Sequence, residues 1–153
     1  ADSVLQMVAA QTAQAHALAL SGDPKGARAL LVGMEERKEL RPLDEFNLGV
    51  AYVEEPGKTS RAVELLESAR KELGPAPRTD SALALAYARD GKTDDAAALL
   101  RDLDDSAFED DDTAKDLHKR ARRSLRQAEA KTKGAKKSAA AENNPAAVVP
   151  IRM

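Results

Sequence analysis

Two stretches of the chain repeat one pattern, LGVAYVEEPGKTSRAVELL at residues 48–66 and LALAYARDGKTDDAAALL at residues 83–100. In each copy a tyrosine precedes a Gly-Lys-Thr turn, and an alanine and a leucine follow the turn at helical spacing. The two tripeptides begin at Gly57 and Gly91, and a weaker third copy of the pattern has its turn at Gly22. This spacing, 34 or 35 residues, is typical of proteins built from repeated pairs of helices.

The composition favours helices over strands. Of the 153 residues, 42% are hydrophobic but only 3% are aromatic, and alanine and leucine dominate the hydrophobic set. Both are strong helix formers, whereas β-sandwiches and barrels need more β-branched and aromatic residues. The sequence therefore predicts an all-α protein, and its length suits one domain followed by a tail.

Each copy is predicted to form two amphipathic helices joined by a short turn. Small residues are expected where the two helices approach closely, namely Ala15, Gly49 and Ala84 on the first helices and Ala27, Ala62 and Ala96 on the second. Asp23 has the side chain of an N-cap, and Thr59 and Thr93 are expected to cap their second helices in the same way. A further helix with an apolar stripe is expected to cover the last repeat.

This pattern resembles the tetratricopeptide repeat, a helix–turn–helix unit with small and aromatic residues at fixed positions. The matching residues are Leu48, Gly49, Tyr52, Ala62, Leu66 and Ala69 in the second copy, Leu83, Ala84, Tyr87, Gly91, Ala96 and Leu100 in the third, and Ala15, Leu18, Gly22, Ala27 and Leu31 in the weaker first. The family's Trp and closing Pro are missing.

The resemblance implies a short right-handed α-solenoid of three helix–turn–helix repeats plus a C-terminal capping helix. The repeats are placed at about residues 8–41, 42–76 and 77–110, and the capping helix at about 113–130. Together they form one repeat domain at residues 1–131, and residues 132–153 are expected to be a flexible basic tail.

The resemblance also implies a non-enzymatic adaptor or scaffold that binds a protein or peptide partner in a concave groove. First-helix residues line the groove in the family, and the matching positions here are Thr12, His16, Leu20, Leu43, Phe46, Val50, Val53, Arg78, Ser81, Leu85 and Arg89. Members of the family that grip a terminal carboxylate use Lys and Asn at positions that are apolar or Ser here. An apolar groove favours an amphipathic helix or an apolar extended segment. Alternatively, these residues pack against neighbouring helices and leave little groove exposed.

Charge is distributed unevenly along the chain. The overall formal charge is −2, but residues 1–113 carry −10 and residues 114–153 carry +8. The predicted capping helix concentrates basic residues, namely Lys119, Arg120, Arg122, Arg123 and Arg126. They are interpreted as a solubilising outer face, or alternatively as a patch that binds a polyanion or a membrane surface. Nucleic acid is disfavoured, because no aromatic residue is interleaved for base stacking.

No catalytic residue, cofactor or metal site is predicted. The chain has no cysteine and only two histidines, and His118 is expected to face solvent. Gly57-Lys58-Thr59 lacks the earlier glycine that a phosphate-binding loop requires, and the tripeptide recurs in the next copy, so it is interpreted as a turn. The acidic run at residues 102–112 lacks the register of an EF-hand and is interpreted as a solvated linker.

The first helix raises the question of a membrane span. Residues 3–22 carry no formal charge, but they include Gln6, Gln11, Gln14 and His16, which are too polar for a bilayer interior. Neither a transmembrane segment nor a signal peptide is predicted. The protein is expected to be cytoplasmic, with an exported protein as the alternative if the missing initial Met reflects a cleaved precursor.

Overall fold

The computed structural model describes residues 2–142, and within that range the chain forms seven α-helices, one short 3-10 helix and no strand. The α-helices are α1 (Asp2–Leu20), α2 (Pro24–Glu36), α3 (Pro42–Val53), α4 (Thr59–Leu73), α5 (Pro77–Arg89), α6 (Thr93–Arg101) and α7 (Asp112–Glu142), and the 3-10 helix is Asp105–Phe108. The predicted all-α class is confirmed, and helices α1 to α6 follow the three copies of the repeated pattern.

Consecutive helices pack in pairs, α1 with α2, α3 with α4 and α5 with α6. The turns within these pairs contain Gly22, Gly57 and Gly91, whose φ angles are 87°, 79° and 79°. Residues with a Cβ rarely adopt a positive φ, so a glycine at this position lets the chain reverse tightly. The backbone conformation therefore explains why glycine recurs at the same place in each copy.

Small residues bring α3 and α4 close together, as the sequence predicts. A Cβ atom added at Gly49 would lie 2.7 Å from Cγ of Leu66 and 3.4 Å from the carbonyl oxygen of Ala62. Ala62, Ala84 and Ala96 are completely buried. The small side chains of the pattern thus lie inside the packed helix pairs.

The predicted helix caps are confirmed at one turn and wrong at two. Asp23 accepts a hydrogen bond from the backbone N–H of Gly26 at 2.9 Å. Thr59 and Thr93 are instead the first helical residues, and the preceding lysines stand at the N-cap position without a side-chain cap. Each helix starts one residue earlier than a threonine cap requires, because the glycine and the lysine already complete the reversal of the chain.

Helix α7 is longer than predicted. It extends to Glu142, whereas the apolar stripe that predicts it ends near Ala128. Every residue from Glu129 to Ala140 is exposed, so little packing holds this part. It is rich in alanine and lysine, which favour helix without tertiary contacts. Residues 132–142 of the expected flexible tail are therefore helical, and residues 143–153 lie outside the described residues.

The core is concentrated in the middle of the chain. Met34, Leu48, Leu66 and Leu85 are the largest apolar side chains that are fully buried. Helix α1 differs, because it carries four of the exposed large apolar side chains, namely Val4, Leu5, Met7 and Leu20. In the described range, no helix combines the length and the hydropathy that crossing a bilayer demands.

Candidate functional site

Helix α7 packs against α5. It packs more extensively on α5 than on any other helix. Arg78, at the start of α5, is paired with Asp111 just before α7 begins, with its Nη2 2.8 Å from the carboxylate. Ser81 and Leu85, on the same face of α5, have no exposed surface. These two residues therefore do not line an open groove.

Two further predicted groove residues are also in the core. Phe46 and Val53, both on α3, are 5% and 4% exposed. Of the alternatives that the sequence left open, packing against neighbouring helices is the one that the structure shows for these positions. The repeat pattern does not distinguish a face covered by another helix from an open face, because both carry apolar residues.

An apolar cavity remains between α3 and the first turns of α7, with a volume of about 320 Å³. We call it the α3–α7 cavity. Its apolar walls are Ala15 and Ala19 of α1, Ala27 and Leu31 of α2, Phe46, Val50 and Ala51 of α3, and Leu117 of α7. Because Ala19 and Asp116 on its walls are exposed, the cavity is open to solvent.

The α3–α7 cavity contains two of the predicted groove residues, Phe46 and Val50. Leu43 lies one turn before Asn47 on the same face of α3, and it is 44% exposed. Together with Phe46 and Val50 it forms an apolar strip along α3 that extends beyond the cavity wall. The sequence did not single out Ala19, Ala51 or Leu117, because alanine and leucine occur throughout the chain and carry no local signal.

The remaining predicted groove residues lie outside the cavity. Thr12 donates a hydrogen bond to the buried carboxylate of Asp44 at 3.0 Å and so ties α1 to α3. His16 and Leu20 are exposed on α1. Arg89, at the end of α5, lies 3.5 Å from the carboxylate of Glu54. Thr12 and Arg89 thus make contacts between helices.

Charged residues stand at the rim of the α3–α7 cavity, and the arginines among them are paired. Arg28 binds Glu55 through two nitrogens, and this ion pair holds the pKa of the Glu55 carboxyl below its usual range. Arg120 is paired with Glu54 and lies 3.7 Å from Asp116. The side chain of Asp116 is 68% exposed, which leaves its carboxylate accessible from solvent.

The predicted basic patch is divided by these contacts. Arg120 is a cavity-rim residue whose guanidinium contacts the body of the protein. Lys119, Arg122, Arg123 and Arg126 are exposed on α7. The exposed basic surface continues along the helix at Lys131, Lys133, Lys136 and Lys137. The patch therefore runs toward the projecting end of α7 and away from the cavity.

The Gly-Lys-Thr turns have a structural role. The ammonium of Lys58 lies 5.3 Å from the ring centre of Tyr52, and that of Lys92 lies 5.7 Å from the ring centre of Tyr87. Such cation–π contacts stabilise the turn against the helix before it. Both lysines are thus engaged with an aromatic ring, and the interpretation of the motif as a turn fits this geometry.

Each of these tyrosines also joins two helix pairs. Tyr52 donates to Glu35 of α2 at 2.8 Å, and Tyr87 donates to Glu67 of α4 at 2.7 Å. Partial burial and the neighbouring carboxylate raise the pKa of Tyr52 to about 12 and raise that of Tyr87 as well. Both hydroxyls therefore stay protonated and act as hydrogen-bond donors at neutral pH.

His118 is buried, so the expectation that it faces solvent is wrong. Only 4% of the residue is exposed, and its ring stacks on Phe108 with 4.4 Å between ring centres. Its Nε2 atom is buried without a hydrogen-bond partner. Burial, and then the positive charge of Arg122, lower the pKa of the imidazole, while Asp105 acts in the opposite direction. In the sequence, His118 comes directly after Leu117, a residue of the apolar stripe of α7.

Between residues 2 and 142, no three or more histidine, aspartate or glutamate side chains are grouped so that they could hold a metal ion. Comparison of the chain with models of protein families, with curated proteins and with solved structures gives no match. The repeated pattern and the geometry of the α3–α7 cavity are therefore the features of this chain that point to a function.

Proposed function

We propose that this protein is a non-enzymatic adaptor that binds an apolar segment of a partner protein in the α3–α7 cavity. The observation that carries the proposal is a solvent-accessible recess with apolar walls in a chain of which 33% is charged. Apolar side chains gain free energy when they leave water for such a recess. We further propose that the helix pairs belong to a short right-handed solenoid of the tetratricopeptide type, in which α1, α2 and α3 supply the cavity walls together with α7.

The cavity suits a few side chains rather than a whole helix. Its volume of about 320 Å³ lies at the lower end of the range that small-molecule pockets span. The apolar strip through Leu43 and Val50 gives further contact area along α3. An extended segment with two or three apolar anchors fits this shape.

Ala19→Glu tests this function without disturbing the core, because Ala19 lines the cavity but is exposed. The matched control is Ala17→Glu, an exposed position on the same helix that is not part of the cavity wall. Peptides selected from a displayed random library on the wild-type chain serve as the probe. We expect Ala19→Glu to weaken the binding of these peptides by about tenfold or more, because a carboxylate in an apolar site loses hydration. Equal binding by both variants, or a library that yields no binders, contradicts the proposal.

A second candidate function is binding of a polyanion or an anionic membrane surface through α7. The exposed lysines between Lys131 and Lys137, on a helical part in which every residue is exposed, favour it. Replacing the four lysines at 131, 133, 136 and 137 with glutamine should abolish binding to heparin and to vesicles that contain anionic lipid. Such binding weakens steeply with salt, whereas binding in the apolar cavity does not.

A further inference from the structure

Residues 146–153 of this chain have the chemistry that the α3–α7 cavity selects. Their sequence is Ala-Ala-Val-Val-Pro-Ile-Arg-Met, and Arg152 is the only charged residue among them. Pro150 restricts the residue before it to extended conformations, which lowers the entropy lost when the segment binds. Val148, Val149 and Ile151 supply apolar anchors, and these residues are β-branched and therefore stiff.

The charges around the cavity are mixed. Its wall carries Arg28 and Arg120 together with the exposed carboxylate of Asp116. The segment carries Arg152 one residue after Ile151 and contains no acidic residue. Residues 1–113, which supply most of the cavity wall, have a net charge of −10, whereas residues 114–153 have +8. Attraction between residues 1–113 of one copy and residues 114–153 of another is therefore expected at low salt.

The length of α7 decides which copy of the chain offers the cavity. Arg120 lies at the cavity rim, and from there to Glu142 the helix rises by about 33 Å, at about 1.5 Å per residue. Residues 143–149 span at most about 25 Å even when fully extended, at about 3.5 Å per residue. Val148 and Val149 therefore do not reach the cavity of their own chain while α7 is intact.

We propose that the Ala146–Met153 segment of one copy docks in the α3–α7 cavity of a second copy, and that two copies exchange segments reciprocally. This inference rests on the proposed function, because it names the segment that the cavity receives. A reciprocal exchange has twofold symmetry, closes on itself and buries two equal contact areas. The occupied cavity is then released to an outside partner whenever the pair of chains separates.

The test uses the full chain and four variants. Sedimentation equilibrium over a range of concentrations is measured for wild type, the double variant Val148→Asp/Val149→Asp, Ala19→Glu and the control Ala17→Glu. We expect wild type and Ala17→Glu to form dimers. The Val148/Val149 double variant and Ala19→Glu are expected to dimerise with a dissociation constant that is higher by about tenfold or more, because each places a carboxylate in the apolar contact.

Mixing the two impaired variants gives a sharper result. The Val148/Val149 double variant keeps an intact cavity, and Ala19→Glu keeps an intact segment, so the mixture retains one of the two exchanges. We expect a mixed dimer that is weaker than wild type but tighter than either variant alone. Labelling one variant with a fluorophore and following its sedimentation detects the mixed species, and absence of that species overturns the proposal.

A monomeric wild type also overturns it, even if the segment folds back onto its own chain, and so does a dimer that both variants leave unchanged. The function proposed above fails separately. If wild type is monomeric but library peptides still bind in a manner that depends on Ala19, then the cavity is a partner site and only the exchange between copies is wrong.

Discussion

The faces of α3 and α5 that carry the predicted groove residues derive from the same part of the repeated pattern but have different surroundings. On α5, Ser81 and Leu85 are completely buried next to α7. On α3, Val50 and Ala51 are only partly buried and border a cavity. The local sequences are similar, so the difference arises from the position of the last helix. A repeat pattern therefore predicts how helices pair, whereas the covering of a face depends on elements outside the repeat.

The largest expected effect separates these two faces. Leu85→Ala should lower the free energy of unfolding by about 2–5 kcal/mol, because it opens a cavity under α7. Leu43→Ala, at an exposed position on α3, should change it by less than about 0.5 kcal/mol. Urea denaturation followed by circular dichroism measures both. Similar values for the two variants would show that α7 does not hold the face of α5.

The second prediction concerns the contact inside each helix pair. Ala62→Leu and Ala96→Leu should each lower the free energy of unfolding by about 1–3 kcal/mol, because added methylenes overpack a completely buried site. Ala98→Leu, at an exposed position on α6, is the control and should be near neutral. Thermal denaturation compares the three, and near-neutral values at both buried sites would rule out the pairing described for α3 with α4 and α5 with α6.

The third prediction concerns His118, which is buried on α7. Its pKa in the folded state is lowered, chiefly by burial, so between about pH 6.5 and that lower pKa only the unfolded state binds the proton. Stability should be fully present above about pH 6.5 and should fall as the pH drops below it. The melting temperature at pH 7.5, 6.5 and 5.5 tests this, well above the range in which carboxylates titrate.

Two variants assign this pH dependence. His118→Phe removes the titrating group and should flatten the profile between pH 7.5 and 5.5, whereas His16→Gln, at an exposed position on α1, should leave the slope in place. Asp105 and Arg122 are the charged groups that act on His118, and both remain in these variants. An unchanged slope in His118→Phe would show that another group causes it.

The smallest expected effect lies at the cavity rim. Arg120→Gln removes an ion pair with Glu54 and should lower stability by less than about 1 kcal/mol, because the arginine side chain is about a third exposed. Arg123→Gln, one turn along the same helix and exposed, should have no measurable effect. The difference between the two is expected to shrink in high salt. Equal effects would mean that Arg120 is not distinguished from the rest of the basic patch.

The sequence predicts the helix pairs well because their determinants are local. Glycine at a turn with positive φ, an N-cap at Asp23 and small residues at close contacts such as Gly49 all leave a signal within one copy. The resemblance to the repeat family places Phe46 and Val50 on the groove side of their helix, and both line the cavity.

The covering of those faces could not be predicted, because it depends on contacts between distant parts of the chain. Nothing local indicates that α7 packs on α5, or that Leu117 and Arg120 complete a cavity with residues of α1 to α3. The end of α7 was missed for a different reason. An apolar stripe predicts a packed helix, whereas residues 129–142 are helical through intrinsic propensity alone.

This unpacked end of α7 makes the reach of the residues beyond it sensitive to temperature. A helix without tertiary contacts melts from its end, and glycine at position 134 weakens it further. Residues 129–142 span about 21 Å as a helix and up to about 47 Å as an extended chain. Warming is therefore expected to lengthen the tether that carries residues 143–153. The α7 extension is thus a spacer whose length depends on temperature.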